Sequence, residues 1–323
     1  MTLKNFIYSL LLAACCFPAH ASGSDEVVKQ TFVYSIKGND TLRLDKYDSP
    51  LATAPKPCLI FVFGGAFAIG SRDYESYLSF YEQFARQGYV VVAIDYRLGM
   101  KDFKKTLNLN QSKFKQFKHL INTLEYTLDI AVEDLFDATN YVIEHAAEWG
   151  VRTDALVSCG SSAGAITVLQ GEYEICSRSR LSERLPQGFN YAGVISFAGA
   201  IFSQKGDLKW TDKPAPIQLF HGDMDNEVPY DKLKFRQLGF FGSQYIAAQL
   251  DKLGFPYYFY SVEYASHEIA GTPMTQNRNE INTFLEKFVF GKENRMIHTS
   301  VKPTAKPGAK KKPKLKDFMA KYM

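Results

Sequence analysis

The chain has 323 residues, 46% of them apolar, which leaves room for one large α/β domain or at most two small ones, with a substantial buried core. Its formal net charge of +4 belongs to one end: the stretch from Lys302 to Met323 holds eight Lys and one Asp, leaving −3 on residues 1–301. The charge therefore does not mark a nucleic-acid groove, and no collagen-like, heptad or internal-repeat pattern appears.

The N-terminus predicts an export signal over residues 1–21. Lys4 precedes the apolar run Phe6–Phe17, which is too short to span a bilayer, and Ala19-His20-Ala21 fits a small-x-small cleavage site. Leu12-Ala13-Ala14-Cys15 also resembles a bacterial lipobox, in which Cys15 would carry a lipid. Soluble export to periplasm or medium and anchoring through Cys15 both stay open, and a membrane is expected only in the second case.

Residues 31–48 read as two strands around Gly38-Asn39-Asp40, a hairpin signal. Cys58–Phe63 is a continuous apolar run that ends in Gly64-Gly65, as a buried central strand does. Asp73–Gln87 has helical spacing, and Tyr89–Ile94 is a second buried strand. Residues 101–123 fit neither period well and hold six Lys and one Asp in 101–118, which predicts an insertion over one end of the sheet. From Leu128 to Trp149 apolar residues recur in steps of three and four, giving a long amphipathic helix. Strands follow at Ala155–Ser158, Val194–Phe197, Ile217–Phe220 and Tyr257–Val262, with helices over Ala165–Gly171 and Asn279–Phe290. This alternation predicts a mainly parallel central sheet with helices on both faces and an antiparallel N-terminal hairpin at its edge. Residues 22–300 form that domain, and residues 301–323, Lys-, Pro- and Ala-rich without an apolar face, form a disordered tail. Cys58, Cys159 and Cys176 are odd in number, two of them within apolar runs, so they read as core residues rather than a disulfide framework. No Cys-x-x-Cys or His-x-x-x-His spacing suggests a metal.

Four loops after strands carry chemistry. Gly160-Ser161-Ser162-Ala163-Gly164, between a strand and a helix, describes a nucleophile elbow, where a tight turn lifts Ser162 to a helix N-terminus and Ser161 points elsewhere. Phe63-Gly64-Gly65-Ala66-Phe67 is a glycine loop whose backbone N–H groups could approach a developing oxyanion, or simply a turn. His221-Gly222-Asp223-Met224-Asp225-Asn226-Glu227-Val228-Pro229 places three acids beyond another strand, any of which could orient a histidine. Ser266-His267-Glu268 follows the last apolar strand, and the order Ser, acid, His makes His267 the leading base.

Together these motifs resemble the α/β-hydrolase superfamily, and within it the carboxylesterases and hormone-sensitive-lipase-like esterases. The resemblance covers roughly residues 30–291. Phe63-Gly64-Gly65-Ala66-Phe67 is similar to the family's His-Gly-Gly-Gly/Ala-Phe loop, with Phe63 in place of the usual His. Asp95-Tyr96-Arg97-Leu98-Gly99 is similar to its Asn/Asp-Tyr-Arg-Leu segment, and His221-Gly222-x-x-Asp225-x-x-Val228-Pro229 to its acid-bearing turn. The resemblance implies a catalytic triad of Ser162, Asp225 and His267, oxyanion donors at Gly65, Ala66 and Ala163, and no cofactor or metal. It implies acyl transfer to Ser162 from a small-molecule or carbohydrate-linked ester. A serine peptidase on the same fold is the alternative enzyme, although the chain has no room for the propeller such enzymes carry; a silent binding protein is the alternative outside enzymes. The 101–123 segment maps onto no part of that family; it would either cap the pocket or lie as an exposed basic loop.

Overall fold

The computed structural model describes residues 26–50 and 55–303. The signal segment with Cys15, and all of the Lys-rich tail beyond Pro303, lie outside the described residues.

Nine strands form one sheet. In chain order they are β1 (Val28–Lys37), β2 (Asp40–Asp48), β3 (Lys56–Val62), β4 (Val90–Ile94), β5 (Val151–Ser161), β6 (Gly193–Phe197), then β8 (Ile217–Gly222), β11 (Tyr257–Val262) and β12 (Met296–Val301). A second sheet joins β7 (Ala200–Ser203), β9 (Lys232–Phe235) and β10 (Leu238–Gly242) in the order β7-β10-β9. The large sheet runs β1-β2-β4-β3-β5-β6-β8-β11-β12. The first two junctions are antiparallel and every later one is parallel. The expected architecture, a parallel sheet with an antiparallel N-terminal hairpin, is the one observed.

Every residue of β4 and of β6 is buried. Successive side chains of a strand point to opposite faces, so both faces are covered. Helix α1 (Glu75–Arg86) packs on β2 and β4, and the short α2 (Phe103–Thr106) follows. The 32-residue α3 (Lys113–Glu144) leads to α4 (Ala146–Trp149), and α3 packs on α5 (Ala163–Cys176), which covers β5 and β6. Then come α6 (Ser243–Leu253) against β8 and β11, α7 (Pro273–Gln276) and α8 (Arg278–Thr283), which runs on as a π-helical stretch over Phe284–Phe290. Cys58, Cys159 and Cys176 are free and buried in this core, as their apolar setting predicts.

Three sequence expectations need correction. The segment 101–123 is not an irregular insertion: α3 begins at Lys113, where the Ser112 side chain accepts from Lys115 N at 3.4 Å. The helical stripe Phe117, Leu120, Ile121, Leu124 runs straight on into Leu128, but the exposed Lys113, Lys115 and Lys118 around its start obscure it. Tyr257–Val262 is not the last strand. β12 adds a parallel edge to it, and its alternating half-exposed pattern gives only a faint signal. The body therefore extends past residue 300, with Glu263 N donating to Val301 O and Lys302 Nζ lying 3.2 Å from Glu263. The hairpin β9–β10 is read here only from structure. Its Lys-Leu-Lys-Phe alternation was available, but its turn carries Arg236 at φ 57 where a glycine would have marked it.

Candidate active site

Ser162, Asp225 and His267 lie beyond the C-terminal ends of β5, β8 and β11, parallel strands of one sheet. Open α/β sheets gather ligands at this end. The structure brings all three together.

The elbow comes first. Ser162 sits at φ 51, ψ −114, between the last residue of β5 and the first of α5. Its N–H donates to Phe197 O at 2.9 Å and its carbonyl accepts from Ile166 N. The turn presses the start of α5 against β3 so closely that a Cβ on Gly164 would stand 2.0 Å from Val62 O. Such strain, fixed by its surroundings, is what raises a side chain out of regular structure. Ser162 Oγ stands 2.7 Å from His267 Nε2, and His267 Nδ1 stands 2.7 Å from Asp225 Oδ2. Ser161 points away, its hydroxyl donating to Ala270 O at 2.8 Å and so tying the elbow to the turn that carries His267.

Among the three acids, only Asp225 faces His267 Nδ1. Its Oδ1 accepts from Glu227 N at 2.8 Å and Val228 N at 3.0 Å, so the turn binds its own carboxylate. Asp223 is spent elsewhere, accepting from Tyr264 N at 2.6 Å. Glu227 lies on the opposite side of the imidazole, 3.7 Å from Nε2, with its side chain half exposed. The sequence reading missed the use of His221. This fully buried ring places Nε2 3.3 Å from Asp225 Oδ2 and Nδ1 2.8 Å from Ser243 Oγ. Burial pushes the Asp225 pKa up, but the bonds from His221 and His267 outweigh it and hold the carboxyl well below its ordinary range.

The glycine loop after β3 lies over the elbow. Gly65 (φ 132), Ala66 (φ 54) and Phe67 (φ 57) reverse the chain, and Gly65 O accepts from Ala68 N and Ile69 N. A Cβ on Gly65 would meet Ile69 O at 1.9 Å, so only glycine fits there. Among the described residues, the N–H groups of Gly65, Ala66 and Ala163 find no hydrogen-bond acceptor. Ala66 and Ala163 line the pocket beside Ser162, whereas Gly65 is not part of the lining. Where the resembled family has a His, Phe63 anchors the loop by other means. Its ring packs on Tyr96 at 4.6 Å, Tyr96 OH donates to Phe63 O at 3.0 Å, and Gly64 N donates to Tyr77 OH at 3.2 Å. Arg97 then pins this corner to α3, its backbone and guanidinium both donating to Asp134 at 2.8–3.0 Å.

The pocket over Ser162 is a narrow apolar cavity of about 80 Å³. One wall is the N-terminal half of α3, with Phe117, Leu120, Ile121 and Leu124, and the other is the β9–β10 hairpin, with Leu233 and Phe235. Phe117 and Phe235 meet edge to face at 6.4 Å across it. The expected capping segment thus does border the site, as helix rather than loop. Among the described residues, no cluster of His, Cys, Asp and Glu is arranged to hold a metal ion.

Sheet order, elbow and site together define an α/β-hydrolase fold. The BD-FAE family model matches residues 44–107. The chain is 29% identical over 246 residues to a "Probable isoprenylcysteine alpha-carbonyl methylesterase" of Arabidopsis thaliana, covering 64% of this chain and 46% of that protein. It is 29% identical over 136 residues to gut esterase 1 of Caenorhabditis briggsae, covering 42% of this chain and 22% of that protein. The chain thus spans less than half the length of these curated relatives. Among solved structures, Thermogutta terrifontis esterase 2 phosphoramylated by tabun superposes with a TM-score of 0.58 at 21% identity, over 81% of this chain and 95% of that one. The same enzyme phosphorylated by paraoxon gives 0.56 at 21% identity over the same shares. This likeness establishes the fold.

Proposed function

We propose that the protein is an exported serine hydrolase that cleaves carboxylic esters through an acyl-enzyme on Ser162. The reading rests on one observation: Ser162 Oγ, on a strained elbow at a helix N-terminus, lies 2.7 Å from an imidazole whose other nitrogen is held by a buried carboxylate. Asp225 accepts the Nδ1–H, which leaves the Nε2 lone pair facing Oγ. His267 takes the Ser162 proton as Oγ attacks the ester carbonyl. The negative oxygen that forms is met by the N–H groups of Ala66 and Ala163, with Gly65 as the further donor. His267 then protonates the leaving alcohol, and water, activated by the same nitrogen, releases the acid. The esterase names of the relatives support this reading, and the organophosphate adducts of the structural neighbour are consistent with it. An apolar pocket beside Ser162 suits an apolar acyl or alcohol group. Export follows from Lys4, the apolar run and Ala19-His20-Ala21, and the mass of the mature protein separates Ser22 from a lipidated Cys15 as its first residue.

The test is a fluorophosphonate probe with a nitrophenyl ester series. The wild-type protein should take the adduct on Ser162 and turn over acetyl to hexanoyl esters. Ser162→Ala should lose both, by 10³-fold or more in kcat, whereas Ser161→Ala should keep both within about tenfold because its hydroxyl points away from the site. An adduct on Ser161, or none on the folded protein, would defeat the reading.

A further inference from the structure

We propose that the face around the pocket mouth docks on an anionic lipid surface, from which a lipid-borne ester enters the pocket. The substrate half of this proposal rests on the ester-hydrolase reading; the docking half does not.

The two walls of the pocket end in exposed tips. On α3, Lys113 and Phe114 continue the stripe that Phe117 and Leu120 carry into the pocket, by helical spacing. Phe114 is 74% exposed. Leu109, 70% exposed, is held against this turn because Gln116 Nε2 donates to Leu109 O at 3.2 Å and Gln111 O at 2.8 Å. Across the mouth, Phe235 is 50% exposed at the tip of the hairpin, with the Arg236 guanidinium over its ring at 5.6 Å. The Phe117–Phe235 contact places the two tips side by side.

Lys113 and Lys115 flank Phe114 along α3 and Arg236 follows Phe235, while Glu227 is the charged residue that lines the pocket itself. Among the described residues, Lys101, Lys104, Lys113, Lys115, Lys118 and Arg236 have no carboxylate within 4 Å. The corner that bears the lysines is one packed unit: Phe103 of α2 stacks on His119 at 5.4 Å, and Thr106 Oγ1 lies 3.0 Å from His119 Nε2. The excess is local, since residues 1–301 sum to −3. Unpaired lysines would suit any polyanion. Water-exposed Leu and Phe among them do not suit a polysaccharide or nucleic-acid backbone, but they suit a bilayer interface, where apolar side chains enter the acyl boundary and lysines meet anionic headgroups. The pocket mouth that Phe117 and Phe235 border then faces the lipid.

Vesicle flotation tests this, read on the Ser162→Ala protein so that binding is separated from hydrolysis. Phosphatidylcholine vesicles with phosphatidylglycerol should bind the protein, pure phosphatidylcholine far less, and added salt should weaken binding. Leu109→Asp/Phe114→Asp and Lys104→Glu/Lys113→Glu/Lys118→Glu should each reduce partitioning about tenfold or more. With Ser162 intact, both should hydrolyse a water-soluble acetyl ester at the wild-type rate, which shows that they fold. Absence of vesicle binding, binding that both variants retain, binding lost only on truncation after Pro303, or binding to heparin without binding to vesicles would each overturn the proposal. Loss of the hydrolase reading would appear in the ester assay instead.

Discussion

Asp225 receives four donors, two backbone N–H groups on Oδ1 and the two rings of His267 and His221 on Oδ2. His221 fixes its own tautomer. Its Nε2 faces two acceptors, Asp225 Oδ2 and Val228 O, both at 3.3 Å, so Nε2 carries the proton and Nδ1 accepts from the Ser243 hydroxyl. A line of hydrogen bonds thus runs from Ser243 through His221, Asp225 and His267 to Ser162. Because the Asp225 carboxyl titrates below its ordinary range, its contribution to stability is present above that range and is lost only as pH falls through the depressed value. On the ester-hydrolase reading, Asp225→Asn should cost on the order of 10³–10⁴ in kcat, with Asp223→Asn and Glu227→Gln costing about tenfold or less. His221→Asn should fall between them. It should also move the acid limb of kcat/KM to higher pH, since a carboxylate relieved of one donor holds the His267 proton more firmly. Steady-state kinetics against pH on the four variants decides the ranking. The motif made the acid legible only through resemblance: on composition alone three carboxylates were equal, and the Tyr264 N–H that occupies Asp223 comes from 41 residues away.

At the scale of elements, the pocket is made by two pieces with different legibility. The elbow and the glycine loop are short and self-contained, and their residue types follow from local sterics, so sequence was sufficient to find them. The walls depend on which elements meet. Residues 113–123 are three turns of α3, and deleting the segment 101–123 would remove part of a core helix; point changes are the better probe. Phe235→Ala removes the hairpin's half of the ring pair across the mouth. Its side chain is half exposed, so the fold should lose about 1 kcal/mol or less. The chain-length profile on nitrophenyl esters should shift toward longer acyl groups, and acetyl ester turnover should change by less than about threefold. An unchanged profile would remove the hairpin from substrate selection.

For the whole molecule, the parallel sheet was legible because fully buried strands read as unbroken apolar runs, whereas the order of its strands is given by the structure alone. The far edge was not. β12 alternates exposed and half-buried residues, and what identifies it is pairing with β11 and the stacking of His298 on Phe259 at 4.7 Å. The end of the body follows from that edge. Truncation after Pro303 removes seven lysines and should leave kcat/KM for a soluble ester unchanged. Truncation before Met296 strips the edge from β11 and should lower the melting temperature.

The distribution of the site along the chain has a temporal consequence. Ser162 and His267 are 105 residues apart, and the glycine loop lies nearly another hundred before the elbow. They become neighbours only when β3, β5, β6, β8 and β11 have paired in register, a set of non-local contacts of the kind that closes late and slowly. A growing chain that already contains Ser162 has no base for it until residue 267 has emerged and the sheet has closed. Chemical competence is therefore a property of the finished topology, silent in any fragment that ends before His267.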